Sequence, residues 1–156
     1  MKQGGFTLIE LAVVASILAV LAMIALPLAE LTAQRSRESE LRTALRQIRE
    51  GIDAYKRASD AGKVAKEATE SGYPRRLDDL SRGVEDITLP GKPLIFFLRR
   101  IPRDPFYPDP QTPAAETWGL RAYESPPDLP RPGTDVYDVY SQSERIGLNG
   151  IPYRQW

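Results

Sequence analysis

The 156-residue chain contains neither cysteine nor histidine. Their absence removes disulfides, thiolate and imidazole metal sites, cysteine nucleophiles and histidine general bases together. It does not fix the compartment, because an exported domain folds without disulfides when its core suffices. Net charge is missing as well: 21 basic and 21 acidic residues cancel. That excludes a binder relying on a strong overall positive field and leaves only local patches. There is no Gly-Lys-Ser/Thr phosphate loop and no nucleophile elbow. Carboxylates such as Asp78, Asp79, Asp104, Asp109, Asp128, Asp135, Asp138 and Glu144 could pair for glycoside hydrolysis, but turns and helix caps account for them more simply. The expectation is no enzyme.

What is present begins at the amino end. Between Phe6 and Leu31 the only ionisable residues are Glu10 and Glu30, set in Leu, Ile, Val, Ala and Met. About 20 apolar helical residues cover a hydrocarbon core of ~30 Å, so this run is long enough to span. A charge at the centre of a bilayer costs roughly 2.5–3.5 kcal/mol, which makes Glu10 a functional hypothesis by default. A secretory signal peptide would use Met1-Lys2 as its basic region, but its apolar core is usually shorter. A plain membrane anchor leaves Glu10 and Gly4-Gly5 unexplained.

The run Gly5-Phe6-Thr7-Leu8-Ile9-Glu10, behind a short lysine-bearing leader and ahead of the apolar helix, resembles the class III signal of type IV pilins and type II secretion pseudopilins. The resemblance implies cleavage by a prepilin peptidase between Gly5 and Phe6, N-methylation of Phe6, and a role for Glu10 and Pro27 in assembly. The new ammonium at Phe6 is expensive in lipid unless paired, and the Glu10 carboxylate of a neighbouring copy would offset it. Arg35, Arg37 and Arg42 follow the span, so a bare charge count would place the remainder inside. The motif implies the opposite, with the leader cytoplasmic and the domain periplasmic, and takes precedence.

Beyond Glu30 the helical pattern continues. Leu41, Leu45, Ile48, Ile52 and Tyr55 form one stripe, with Arg42, Arg46, Arg49 and Glu50 elsewhere on the surface. Pro27 is expected to kink or loosen the helix, Gly51 and Gly62 to weaken it, and its end to fall near residues 60–62. Residues 63–72 read as a loop or short turn. Residues 72–80 form a Pro-started turn with Leu77 and Leu80 inward, and 94–98 read as a core segment. Residues 99–113 read as an extended surface loop, and 120–125 and 135–141 as strands. "YP…LDDL", the strand "DVYDVYS" and the closing Gly147-to-Trp156 segment resemble major pseudopilins, with an apparent insertion over 105–118.

The fold expected is α+β and pilin-like: a leader (1–5), a membrane-spanning helix (6–30), its amphipathic continuation (31–62) and a head (63–156) with a small antiparallel sheet. Major pseudopilins commonly bind calcium after the last strand. Here the candidate ligands are Ser141, Ser143, Glu144 and Asn149, with one carboxylate among them and Arg145 beside it. That balance is against a bound ion, since calcium wants six to eight oxygens. Tyr153 and Trp156 are expected to hold the loop instead. No cofactor follows. The cluster Arg99, Arg100 and Arg103 reads as a solvated or subunit-facing patch, so no nucleic acid is expected.

The resemblance implies a structural subunit of a type II secretion pseudopilus in the bacterial inner membrane. Its partners would be further copies, other pseudopilins, the prepilin peptidase, the assembly platform and the lipid bilayer. The alternatives are a type IV pilin, a minor or competence pseudopilin, and a non-polymerising membrane-anchored binding domain.

Overall fold

The computed structural model describes residues 7–156. The first element, α1, is a 53-residue helix spanning Leu8–Asp60 that continues through Pro27. The chain divides into two compact units, residues 1–37 and 38–156, so the helix contributes to both. In the first unit, Leu and Ala supply intrinsic helix propensity, and the large apolar side chains from Leu8 to Leu31 are exposed wherever they are described.

In the second unit, Leu41, Leu45, Ile48, Ile52 and Tyr55 are all buried, as the helical spacing predicts. The helix ends in a Schellman motif. Gly62 takes a φ of 73°, its N–H bonds the Ser59 carbonyl at 3.0 Å, and the Lys63 N–H bonds the Ala58 carbonyl at 3.0 Å. Glycine is the residue that adopts this left-handed conformation without strain. Gly51 is no weak point: a Cβ there would lie 3.0 Å from Leu98 Cγ, so its bare backbone is the surface on which Leu98 packs.

A short helix, α2, covers Asp79–Arg82, with Leu77 and Leu80 buried beneath it. The Leu80 carbonyl accepts from both Phe97 N at 3.0 Å and Leu98 N at 2.8 Å, which docks the following segment. Strand β1 (Val84–Glu85) pairs antiparallel with β2 (Leu94–Ile95), and β3 (Trp118–Arg121) pairs antiparallel with β4 (Asp138–Ser141). The expected single sheet is thus two separate two-stranded ones. The helix packs on these small sheets in a pilin-like arrangement, through a core that includes Leu80, Trp118, Val136, Val139 and Tyr153.

Several expected boundaries change. The β3–β4 ladder runs from the Trp118–Ser141 pair to the Arg121–Asp138 pair. It stops because Ala122 N turns to the Arg131 carbonyl and Val136 N to that of Pro74, at 2.9 and 2.8 Å. Residues 94–98 are not uniformly core, since Leu94 and Phe96 are exposed while Phe97 and Leu98 pack against the cluster. Residues 99–113 form an irregular loop, yet Ile101 and Asp104 are buried within it. The Trp118 indole donates to the Pro102 carbonyl at 2.8 Å, fixing the loop to β3.

Candidate functional site

The features that set this chain apart lie at the start of α1. Glu10 is the third residue of the helix and Thr7 its N-cap. Glu10 Oε2 accepts from Thr7 N and from Thr7 Oγ1, both at 2.8 Å, and Thr7 Oγ1 accepts from Glu10 N at 3.3 Å. This is a capping box, in which cap residue and third residue satisfy each other's otherwise orphaned amides. In lipid such amides have no water to turn to, so the arrangement has a clear physical purpose. It was readable in the sequence as Thr-Leu-Ile-Glu before an apolar run. A carboxylate offers about four acceptor positions, and the Thr7 donors converge on Oε2, so among the described residues Oε1 is left for a cation.

Beyond this carboxylate the helix surface is apolar apart from Ser16 as far as Leu26. Ala12, Ala15, Ser16, Ala19 and Ala22 are exposed. The Ser16 hydroxyl returns to the Ala12 carbonyl at 2.8 Å, so its polarity is satisfied within the helix. Small residues allow close approach of helices in lipid. Pro27 lies further along the same helix. The expected cleavage junction, Gly5 and Phe6, lies outside the described residues.

In the second unit, two buried carboxylates organise the carboxyl-terminal segment. Glu38 is only 3% exposed. Its Oε1 accepts from Leu148 N at 2.8 Å and from the Tyr153 hydroxyl at 2.9 Å, and Arg42 lies 3.7 Å from Oε2. Asp104 is 1% exposed and accepts from Phe106 N at 2.8 Å and the Ser141 hydroxyl at 2.6 Å, while Asp104 N donates to Thr117 Oγ1 at 3.1 Å. Asp104 therefore has the turn-forming role expected and also ties β4 to the 105–118 segment. Just before that segment, Arg103 donates to the carbonyls of Asp109 and Thr112 within it.

Arg49, expected on the free surface, donates to Asp138 Oδ1 at 2.8 Å, the Trp156 carbonyl at 2.8 Å and the Val139 carbonyl at 3.3 Å. Sequence reasoning missed Glu38 and Arg49 as structural anchors. Glu38 had a signal: it falls three residues before Leu41, on the buried stripe itself. Arg49 had none, because its partners lie about ninety residues away or more.

Each of the four calcium candidates keeps its own local contact or faces solvent. Ser141 Oγ is committed to Asp104, Ser143 Oγ accepts from Arg145 N at 3.3 Å, Asn149 Oδ1 accepts from Ile151 N at 3.1 Å, and Glu144 is exposed. Among the described residues, no group of three or more acidic side chains is disposed to hold a metal ion. The loop is tied to Glu38, with Tyr153 stacked on Phe106 at 4.1 Å between ring centroids and edge-on to Trp156 at 5.0 Å.

The chain matches the family model described as the prokaryotic N-terminal methylation motif over residues 1–26, which include Gly5, Phe6 and Glu10. No curated protein and no solved structure matches it. The motif implies a prepilin-peptidase substrate, consistent with pilin- and pseudopilin-like proteins. With one helix long and apolar enough to cross a membrane, it supports a single-pass inner-membrane protein. Motif and pilin-like fold together support a structural subunit of the pilin and pseudopilin superfamily.

Proposed function

We propose that this subunit builds a type II secretion pseudopilus, with its leader cytoplasmic and its head periplasmic. After cleavage and methylation at Phe6, the apolar helices leave lipid and bundle, with Glu10 of one copy meeting the amino terminus of the next. An assembly ATPase and inner-membrane platform add copies beside other pseudopilins, and the growing filament drives folded proteins through an outer-membrane channel. The short, cysteine-free head favours the major subunit over a minor one.

The observation that supports this reading most directly is the Glu10 carboxylate, which caps its own helix through Oε2 and keeps a second oxygen for a neighbour's cation. An anchor that never polymerises needs only the cap. Glu10→Gln separates the two, since the amide oxygen still accepts from Thr7 while the charge is lost. Filament formation and secretion are expected to fail in that variant although the protein remains membrane-inserted. Absence of any filament from the unaltered protein would favour the anchor, normal assembly with Glu10→Gln would overturn the role given to Glu10, and filaments of the unaltered protein that support no secretion would favour a type IV pilin. Mass analysis of the amino terminus from membranes is expected to show methylated phenylalanine.

A further inference from the structure

Beside Trp156 a groove of about 500 Å³ opens on α1, with Leu45 at its base and Arg42, Arg46, Ile151 and Trp156 around it. The Arg42 guanidinium lies 4.3 Å from the Trp156 ring centroid, a cation–π contact that holds it in place. Arg46 has neither ion pair nor hydrogen-bond partner among the described residues, and Ile151 is 44% exposed. Arg49 and Glu50 also line the groove, Arg42 is shared with Glu38 at 3.7 Å, and Arg46 is the guanidinium left to meet a partner beside the apolar Leu45, Ile151 and Trp156.

A matching acidic, apolar element occurs in the same chain. Residues 122–131 form a loop closed by Ala122 N donating to the Arg131 carbonyl at 2.9 Å. Inside it the Ser125 hydroxyl donates to the Leu129 carbonyl at 3.2 Å and accepts from Arg131 N at 2.8 Å, so the loop shape is set in advance. Its surface carries Glu124, Pro126, Pro127, Asp128 and Leu129, all exposed, and Leu129 is 50% exposed. Several other acids of the head are paired internally: Glu67 and Glu70 by Arg75, Asp78 by Arg82, Glu85 by Lys92, and Asp138 by Arg49 and Arg121. Glu124 and Asp128 have no ion-pair partner among the described residues.

We infer that the 124–129 loop of a second copy docks in this groove, with Leu129 against Ile151 and Trp156 and with Glu124 and Asp128 facing Arg42 and Arg46. Burial of one large apolar side chain within a ring of complementary charge is the usual form of a specific contact. The inference deepens the filament reading, which brings copies side by side, but it does not depend on Glu10.

The absence of cysteine makes the test direct. Full-length copies carrying Ile151→Cys and Leu129→Cys, with different tags, are co-expressed and their membranes oxidised. A disulfide-linked pair carrying both tags is expected, at least about tenfold above a control mixture of Ile151→Cys with Glu67→Cys. Adding Arg46→Glu is expected to reduce the pair about tenfold, and Asp128→Arg on the opposite copy to restore it, because facing like charges are costly across an interface. Equal yields with the control, indifference to charge reversal, or an Ile151→Cys adduct with a different protein would each overturn the pairing. Repeating the mixture with Glu10→Gln distinguishes the two readings: a pair that persists there while filaments are lost, or while filaments prove independent of Glu10, upholds the head contact by itself.

Discussion

Glu38 and Tyr153 are 115 residues apart in sequence and 2.9 Å apart in space, carboxylate oxygen to phenol hydroxyl, with both side chains almost wholly removed from solvent. Leu148 N donates to the same oxygen at 2.8 Å. One acid on α1 thus fixes the segment where the major-pseudopilin resemblance places a calcium ion. Glu38→Ala removes the acceptor of a buried hydroxyl and of an amide, and is expected to cost about 2–4 kcal/mol by the usual penalty for lost buried bonds. Tyr153→Phe removes a single donor and is expected to cost about 1 kcal/mol. Thermal unfolding of the detergent-solubilised protein, followed by tryptophan fluorescence, checks both.

A second expectation concerns strand pairing. Gly119 lies opposite Tyr140 in the β3–β4 ladder, and a Cβ at Gly119 would sit 2.3 Å from the Tyr140 ring. Gly119→Ala is therefore expected to destabilise by about 1–3 kcal/mol through overpacking. Placing it in a Tyr140→Ala background should remove most of that cost. A double-mutant cycle with additive penalties would show that the ring simply swings away.

Acid sensitivity has a defined source at Asp86. Its carboxyl is held below the usual range, first by the Thr88 hydroxyl at 2.5 Å and then by the Thr88 N–H at 3.0 Å. The unfolded chain takes up this proton first as pH falls. The bonded carboxylate therefore contributes stability above the ordinary aspartate value of about 3.9 and loses it as pH drops through the lower folded value. Thr88→Val keeps the N–H but not the hydroxyl. Its melting temperature is expected to lie below that of the parent at neutral pH, with the gap closing in strong acid. A gap independent of pH would assign the effect to packing.

At the start of α1, Thr7→Ala removes one side of the capping box while leaving the Glu10 charge. Loss of a threonine cap costs about 1 kcal/mol of local helix stability. Faster amide exchange confined to the first turn is expected in micelles, with assembly retained. Glu10→Gln should give the reverse pattern, and identical phenotypes would merge the two roles.

The sequence pattern made the helix legible because a buried stripe at 3.6-residue spacing depends only on neighbours along the chain, and Leu41 to Tyr55 obey it. The Schellman end at Gly62 and the inward Leu77 and Leu80 were legible for the same reason. Strand limits were not, because the ladder stops where Ala122 and Val136 find distant carbonyls. Gly51 read as a flaw since nothing local announces Leu98 across it. The capping box was local and could have been read. Arg49 could not, because a guanidinium on a polar helix face looks the same whether it meets water or a strand.

Arg49 also bears on how such a molecule would carry force. Its single guanidinium joins α1 to the Asp138 side chain and Val139 carbonyl of β4 and to the Trp156 carbonyl. A tension borne by α1 at Arg49 would therefore reach the last strand without crossing residues 61–137 between them. Its planar, forked donors resist shear in a way that a lone ammonium on a flexible stem does not. The last strand and Trp156 would therefore stay fastened to the helical stretch around Arg49 even where the intervening turns loosen.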